Sequence, residues 1–315
     1  MLAARPETDM PPDQPPPDHA SADHPSADRP PLAAPARLSP RARRRRLALG
    51  LPTILGLATR GWFIPHRHAD VARPPAGYAA LEPIFTAARP AFAGWLAGLA
   101  DFADDFARMG GTPPAPRFEQ GWFPRLDAAT AYAMVRTRAP RRIVEVGSGH
   151  STRFVARAIA DGGLDTALVA IDPAPRADVA ALPLTLVRQP LQTAGLAAFA
   201  DLAAGDFLMI DSSHVLMPGS DVDLLFAEVL PRLPAGVVVQ VHDVFLPDGY
   251  PADWEWRGYN EQQGLVGWLP GGRARLLFSS HYAASRMAAE VAASAAGRLP
   301  LQPGAIESAL WFELG

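Results

Sequence analysis

From residue 142 onward, short apolar runs alternate with longer stretches of helical period. The runs at 142–146, 167–171, 207–210, 237–241 and 275–278 are apolar and mostly rich in β-branched residues, and polar residues follow each of the first four. Runs this short and this uniformly apolar predict strands buried on both faces. Helices are predicted over 128–138, with Asp127 as its cap, over 152–160, and over 222–230 with Pro231 and Pro234 at its exit. Strands alternating with helices predict an α/β fold, Rossmann-like, with an open and mostly parallel sheet covered by helices on both faces. In such sheets ligands bind beyond the carboxyl ends of the strands, where the polar residues of this chain collect.

Ahead of that pattern the chain changes character. Residues 78–108 read as helical, with Pro90 separating two helices. Phe92, Trp95, Leu96, Leu99, Phe102 and Phe106 fall on one face, read as packing rather than cofactor stacking. Residues 110–116 read as a linker. Residues 1–40 hold eleven of the 34 prolines and no hydrophobic period, which predicts a disordered Pro/Asp-rich tail reaching through the basic cluster to residue 46. Arg41 and Arg43 to Arg46 form that cluster, and the apolar stretch behind them is interrupted by Pro52 and bounded by Arg60. It is too short to span a bilayer, which takes about 20 apolar residues. A segment packed behind the tail is the favoured reading, with membrane-surface contact through 41–64 as the lesser one, and the chain is expected in the cytoplasm. Residues 47–120 are taken as an apolar and helical segment, and 121–315 as the main domain.

Composition narrows the chemistry. The chain has 315 residues and no cysteine, which removes disulfides, thiolate metal sites and cysteine nucleophiles. All 29 basic residues are arginine, so no Walker lysine or Schiff base exists. The net charge of -3, the dispersed basic residues of the folded region and the lack of an Asn/Asp-Pro-Pro-Tyr/Phe motif argue against a nucleic-acid substrate.

The first strand runs into Glu145-Val146-Gly147-Ser148-Gly149-His150-Ser151-Thr152. Two glycines permit a sharp turn and a close backbone approach, but the full dinucleotide fingerprint is missing because Thr152 stands at its last position. Asp172, ending the second strand, is placed to accept from a ribose diol, which NAD and S-adenosylmethionine (SAM) share. Glu145 favours SAM, since a carboxylate beneath the turn repels a pyrophosphate and attracts the amino and sulfonium groups of SAM. Its alternative role is to accept backbone N–H bonds. His150, in the turn, is read as holding the carboxylate or adenosine part of the cofactor.

Asp211-Ser212-Ser213-His214 and His242-Asp243 end the third and fourth runs. If those strands are neighbours, Asp211 and Asp243 meet over the sheet edge, where a cation such as Mg²⁺ would relieve their repulsion. His242 as a further ligand shifts the preference toward Mn²⁺, Fe²⁺ or Zn²⁺. Consecutive strand residues face opposite ways, so Asp243 is the safer ligand, and His242 is otherwise a satisfied interior histidine. His214 is the candidate general base. Ser212 and Ser213 are poor nucleophiles because no G-x-S-x-G elbow surrounds them. The stretch from Phe245 to Gln262, dense in Trp and Tyr, reads as a lid over the substrate, extending to about 270, and His281-Tyr282 as a neighbour of the same cavity.

At these residues the chain resembles class I SAM-dependent methyltransferases. The resemblance is carried by Glu145-x-Gly147-x-Gly149, Asp172, Phe123-Pro124-Arg125-Leu126-Asp127, Ile210-Asp211-Ser212-Ser213-His214 and Tyr259-Asn260-Glu261-Gln262, and spans roughly 60–315. It implies a seven-stranded sheet, SAM bound by Glu145, Gly147, Ser148, Gly149, His150, Asp172 and Asp211, and methylation of a small hydroxylated molecule, such as a sugar or natural product. The strings look like those of a bacterial group. The Asp-x-x-His turn is also similar to that of macrolide sugar O-methyltransferases of the mycinamicin and tylosin type. That similarity implies a Mg²⁺ or Mn²⁺ held by Asp211, Asp243 and His242, with His214 as the base. The sequence departs from that group at His242, where those enzymes carry an acid. An NAD-dependent oxidoreductase and a non-catalytic scaffold are the alternatives.

Overall fold

The structure is a computed structural model that describes residues 39–315 apart from 63, 65 and 70. The expected proline-rich tail falls mostly on 1–38, outside the described residues. Helix α1 (Pro40–Ile54) carries the basic cluster. Helix α2 (Glu82–Gly98) is followed by a 3₁₀ turn (Leu99–Phe102) and α3 (Ala103–Ala107). The remaining order is α4 (Arg125–Arg138), β1 (Arg142–Val146), α5 (His150–Gly162), β2 (Ala167–Ile171), β3 (Thr185–Val187), α6 (Leu191–Ala194), β4 (Phe207–Ile210), α7 (Asp221–Leu224), β5 (Val238–Val241), α8 (Glu261–Leu265), β6 (Ala274–Ser279), α9 (Ser280–Arg286), α10 (Ala288–Ala293) and β7 (Leu310–Leu314).

One seven-stranded sheet holds all the strands, in the order β3-β2-β1-β4-β5-β7-β6. The pairs among β1 to β5 are parallel, and β7 runs antiparallel between β5 and β6. This is the Rossmann-like architecture of class I SAM-dependent methyltransferases, preceded by N-terminal helices. The order reverses between β1 and β4, and the crevice at that reversal is where open α/β sheets take ligands. Residues of β1, β2, β4 and β5 are almost wholly buried, as strands covered on both faces must be.

Four sequence expectations change in detail. Pro90 lies inside α2 and does not divide it. Its ring faces solvent, on the side where the freed carbonyl of exposed Thr86 meets water, while buried Phe85, Phe92 and Leu96 anchor the helix on either side. Phe92 meets Phe278 of β6 edge to face at 5.9 Å, so the aromatic face of this helix is packing, as its period predicted. Asp127 does not cap α4, which begins at Arg125 behind Pro124; it turns inward and is fully buried. The helix expected over 222–230 is a single α turn that widens into a π turn, Leu225–Val229. The short edge strand β3 and the C-terminal β7 were not expected. No helix among the described residues is long and apolar enough to cross a membrane.

Candidate active site

The glycine turn is built by close approach. Gly147 has φ +83°, and a Cβ there would stand 1.8 Å from the Asp211 carbonyl oxygen, so the position requires glycine. The Gly147 N–H donates to Ile171 O at 2.9 Å, and Asp211 N–H donates to Val146 O at 2.8 Å, which ties the ends of β1, β2 and β4 together. Gly149, by contrast, has no atom within 4 Å of where a Cβ would be. That open space belongs to a cavity of about 320 Å³ lined by Ser148, Gly149, His150 and Ser151 on one side and by Asp211, His242 and Asp243 on another. His150 Nδ1 is buried there without a partner. Burial, then the charges of Arg153 and Arg117, push its pKa down to about 4, so the ring is neutral near pH 7. An open glycine cradle with an orphaned polar atom on its wall fits a nucleoside cofactor.

Glu145 and Asp172 support this turn from behind rather than lining the cavity. Glu145 is buried and accepts from the Ser151 and Thr152 hydroxyls, not from backbone N–H groups. Burial raises its pKa to about 7. Asp172 accepts from Ser148 N–H and Oγ at 2.7 and 2.9 Å, and from Ala174 N–H at 2.7 Å. Both carboxylates therefore fix the loop on which the cofactor would lie.

Across the cavity, Asp211, His214, His242 and Asp243 form one cluster. His214 Nε2 lies 3.2 Å from Asp211 Oδ1 and 3.5 Å from Asp243 Oδ2. His242 Nδ1 lies 3.6 Å from Asp211 Oδ1 and 3.4 Å from Asp243 Oδ1. Each imidazole has a second carboxylate behind it. Glu261 Oε2 is 2.8 Å from His214 Nδ1, and Asp127 Oδ2 is 3.1 Å from His242 Nε2. His214 and Asp243 both adopt left-handed backbone, at φ 60° and 58°. That turn just past the end of β5 is how His242 and Asp243 reach the same cluster although neighbours in a strand would diverge.

Electrostatics follow from the geometry. Burial alone would lower the His214 pKa, but hydrogen bonds to Asp211 and Glu261 and the Asp243 charge outweigh it and hold it well above 6.5. For His242 burial is likewise outweighed, here by the charges of Asp243 and Asp211 and the bond to Asp127. Burial would raise the Asp211 pKa, but the two imidazoles pull it far below the usual carboxylate range. Burial raises that of Glu261.

The metal expectation does not find its donor set. Among the described residues no group of three or more His, Asp or Glu side chains is placed to hold a metal ion. Asp211, His242 and Asp243 are together, but they pair with each other and with His214. Imidazoles held protonated offer no lone pair to a cation. No step is therefore routed through Mg²⁺ or Mn²⁺.

His214 itself is not on the cavity wall. It lies behind Asp211 and Asp243, with the Tyr259 ring centred 4.6 Å away. Trp254, Arg257 and Tyr259 line the cavity from the stretch expected as a lid, which is pinned by Gln262: its side chain accepts from Phe245 N–H and donates to Asp248 O. His281 bonds Asp248 and does not reach the cavity. Sequence reasoning made Asp127 a helix cap, placed Glu261 and Arg257 only within the lid stretch, and gave no role to Arg176. The first two stood inside strings that carried the family resemblance, and that was their signal.

A family model described as a methyltransferase domain matches residues 144–244, which contain the glycine turn, Asp172 and the whole Asp211–Asp243 cluster. No curated protein matches the chain. Among solved structures, the methyltransferase PaMTH1 of Podospora anserina bound to S-adenosylhomocysteine (SAH) is similar at 16% identity and TM-score 0.37, over 81% of this chain and 99% of that one. An O-methyltransferase of Bacillus cereus in complex with SAH is similar at 13% identity and TM-score 0.36, over 69% and 90%. The O-methyltransferase TomG of Streptomyces achromogenes, involved in tomaymycin synthesis and bound to SAM, gives 20% and 0.35, over 69% and 90%. Similarities this distant add no weight to the assignment, which stands on the strand order and the family match. The strand order gives the chain the class I SAM-dependent methyltransferase architecture, and the family match makes residues 144–244 a methyltransferase domain.

Proposed function

We propose that the enzyme methylates a hydroxyl oxygen of a small molecule, with the Asp211–His214–His242–Asp243 cluster as its acid–base machinery. The observation that carries this reading is that the glycine cradle and the cluster face each other across one cavity. SAM, when bound, supplies a methyl group on a positively charged sulfur. Gly147, Ser148, Gly149 and His150 would hold it against the start of α5, with Glu145 and Asp172 fixing the turn.

The acceptor hydroxyl hydrogen-bonds to Asp243 or Asp211, the acids on the cavity wall. Its proton passes through that carboxylate to His214, whose ring is oriented by Glu261. The oxygen forms its bond to the methyl carbon as the methyl–sulfur bond breaks, with the electron pair going to sulfur. His214 must be neutral to accept the proton, so its raised pKa places full activity on the alkaline side. His242, anchored by Asp127, holds the two carboxylates in place.

The test is methyl transfer from labelled SAM to a panel of hydroxylated acceptors, beside calorimetric SAH binding. His214→Ala should bind SAH as wild type does and lose about a hundredfold or more in kcat. Undiminished turnover in that variant would remove His214 from the mechanism.

A further inference from the structure

A second cavity of about 770 Å³ opens beside the first, between α1 and the segments around residues 215–217 and 256–260. Trp122, Arg176, Arg257 and Tyr259 line both, so the two cavities adjoin at these side chains. Six arginines stand around it: Arg41, Arg45, Arg46, Arg60, Arg176 and Arg257. Among the described residues no Asp or Glu is part of its lining. Among the described residues none of the six forms an ion pair, unlike Arg125 with Glu307 and Arg286 with Asp248.

Three of the six are instead laid against aromatic rings. Arg45 lies 5.6 Å from the Trp256 centroid, Arg176 5.0 Å from Trp122, and Arg257 3.7 Å from Trp254. Arg257 stands at the junction of the cavities, and its Nε is buried without a hydrogen-bond partner. Planar guanidinium groups without a carboxylate partner are the groups that an oxyanion pairs with. The first cavity presents the Asp211 and Asp243 carboxylates as hydrogen-bond acceptors, and the adjoining one presents arginine cations.

We propose that the acceptor substrate is an anion, a hydroxylated molecule bearing a carboxylate or phosphate group. Its oxyanion sits among the arginines while its hydroxyl reaches Asp211 and Asp243. This rests on the methyl-transfer reading above. Planar guanidinium forks favour carboxylate and phosphate, and the tryptophans favour a body with a flat or sugar-like face. Two sources share this chemistry, a free soluble metabolite and an anionic lipid headgroup.

The experiment uses the full chain saturated with SAH. Binding of 4-nitrophenyl β-D-glucuronide is compared with that of 4-nitrophenyl β-D-glucoside, which differs by lacking the carboxylate. The glucuronide should bind about tenfold or more tightly, and added salt should erode the difference. Arg257→Gln should abolish the preference. The double variant Arg45→Gln/Arg60→Gln, exposed residues that line only the second cavity, should weaken the glucuronide with SAH affinity unchanged. Phosphatidylglycerol vesicles that displace the glucuronide where phosphatidylcholine vesicles do not would identify the headgroup source; glucuronide binding insensitive to both would identify the soluble one. Equal affinity for the two glycosides with no vesicle binding, or a preference that survives every arginine variant, overturns the proposal. Failure of the methyl-transfer reading looks different, since SAH itself would then not bind.

Discussion

Glu261 Oε2 lies 2.8 Å from His214 Nδ1, and both side chains are buried. The contact fixes the imidazole so that its other nitrogen faces Asp211 and Asp243, and it contributes to the raised His214 pKa. Glu261→Gln keeps the shape and removes the charge. The His214 pKa should fall, because one of its stabilising carboxylates is gone. A base works deprotonated, so kcat/KM rises with pH through the pKa of the base. The variant's profile should therefore rise at lower pH than that of wild type, with a lower plateau because the remaining base is weaker. A pH–rate profile measured from pH 5 to 10 checks this, and coincident profiles would detach Glu261 from catalysis.

Glu145 gives a stability prediction that runs against the activity trend. Burial raises its folded pKa to about 7 from the ordinary 4.5. At acid pH it is protonated in both states and has no differential effect. As pH climbs from 4.5 to 7 the unfolded chain ionises while the folded one resists, so stability falls, by on the order of 3 kcal/mol in all. His214 and His242 add to the same trend, because their raised pKa values contribute stability below about pH 6.5 that is lost as pH rises through the folded values. Denaturant unfolding of Glu145→Gln across pH 5 to 8 should show a flatter decline than wild type. Parallel curves would mean that Glu145 is ionised in the folded protein throughout.

Much of this was legible in the chain. Five short runs were largely apolar and the first four ended in polar residues, so the parallel sheet and its reactive edge could be read from the pattern. β3 could not, because three half-exposed residues carry no periodic signal. β7 has apolar Leu310, Trp311 and Phe312, but nothing local tells that it turns back antiparallel between β5 and β6. At the site, Asp211, His214, His242 and Asp243 were all named. The lever that makes them converge, the left-handed backbone at Asp243, is invisible in residue identity. Asp127 was misread as a cap because its real partners, the Ser308 and Ala309 N–H groups and His242, lie more than a hundred residues away. Glu145 looked like a cofactor ligand because its place under the turn is right and only its hydroxyl donors were hidden.

The cluster around Asp211 carries a prediction about metal dependence. Asp211, His214, His242 and Asp243 satisfy one another through contacts of 3.2 to 3.6 Å. A divalent cation entering the cluster would have to displace protons from imidazoles that are each flanked by three carboxylates. Methyl transfer after exhaustive EDTA treatment should remain within about twofold of the untreated rate, because no metal-activated hydroxyl is needed. Loss of activity on chelation, restored by Mg²⁺ or Mn²⁺, would show that the cluster opens to a metal and that Asp211 and Asp243 are its ligands.

Gly147 is the position at which cofactor turn and acid–base cluster are joined. Its missing Cβ lets the Asp211 carbonyl oxygen pass where a methyl group would be 1.8 Å away, and its φ of +83° disfavours any side chain. Gly147→Ala must therefore move β4 away from β1 at their carboxyl ends, which breaks the Asp211 N–H to Val146 O bond and shifts Asp211 within the cluster. The expected cost is about 3 kcal/mol of stability, with SAH binding lost in the fraction that folds. Gly149→Ala is the control, because its Cβ projects into the open cavity and strains nothing. It should unfold as wild type does and yet bind SAH at least about tenfold more weakly, if the cofactor lies against that glycine. Thermal unfolding and SAH calorimetry on both variants separate the two effects, and normal SAH affinity in Gly149→Ala would place the cofactor elsewhere in the cavity.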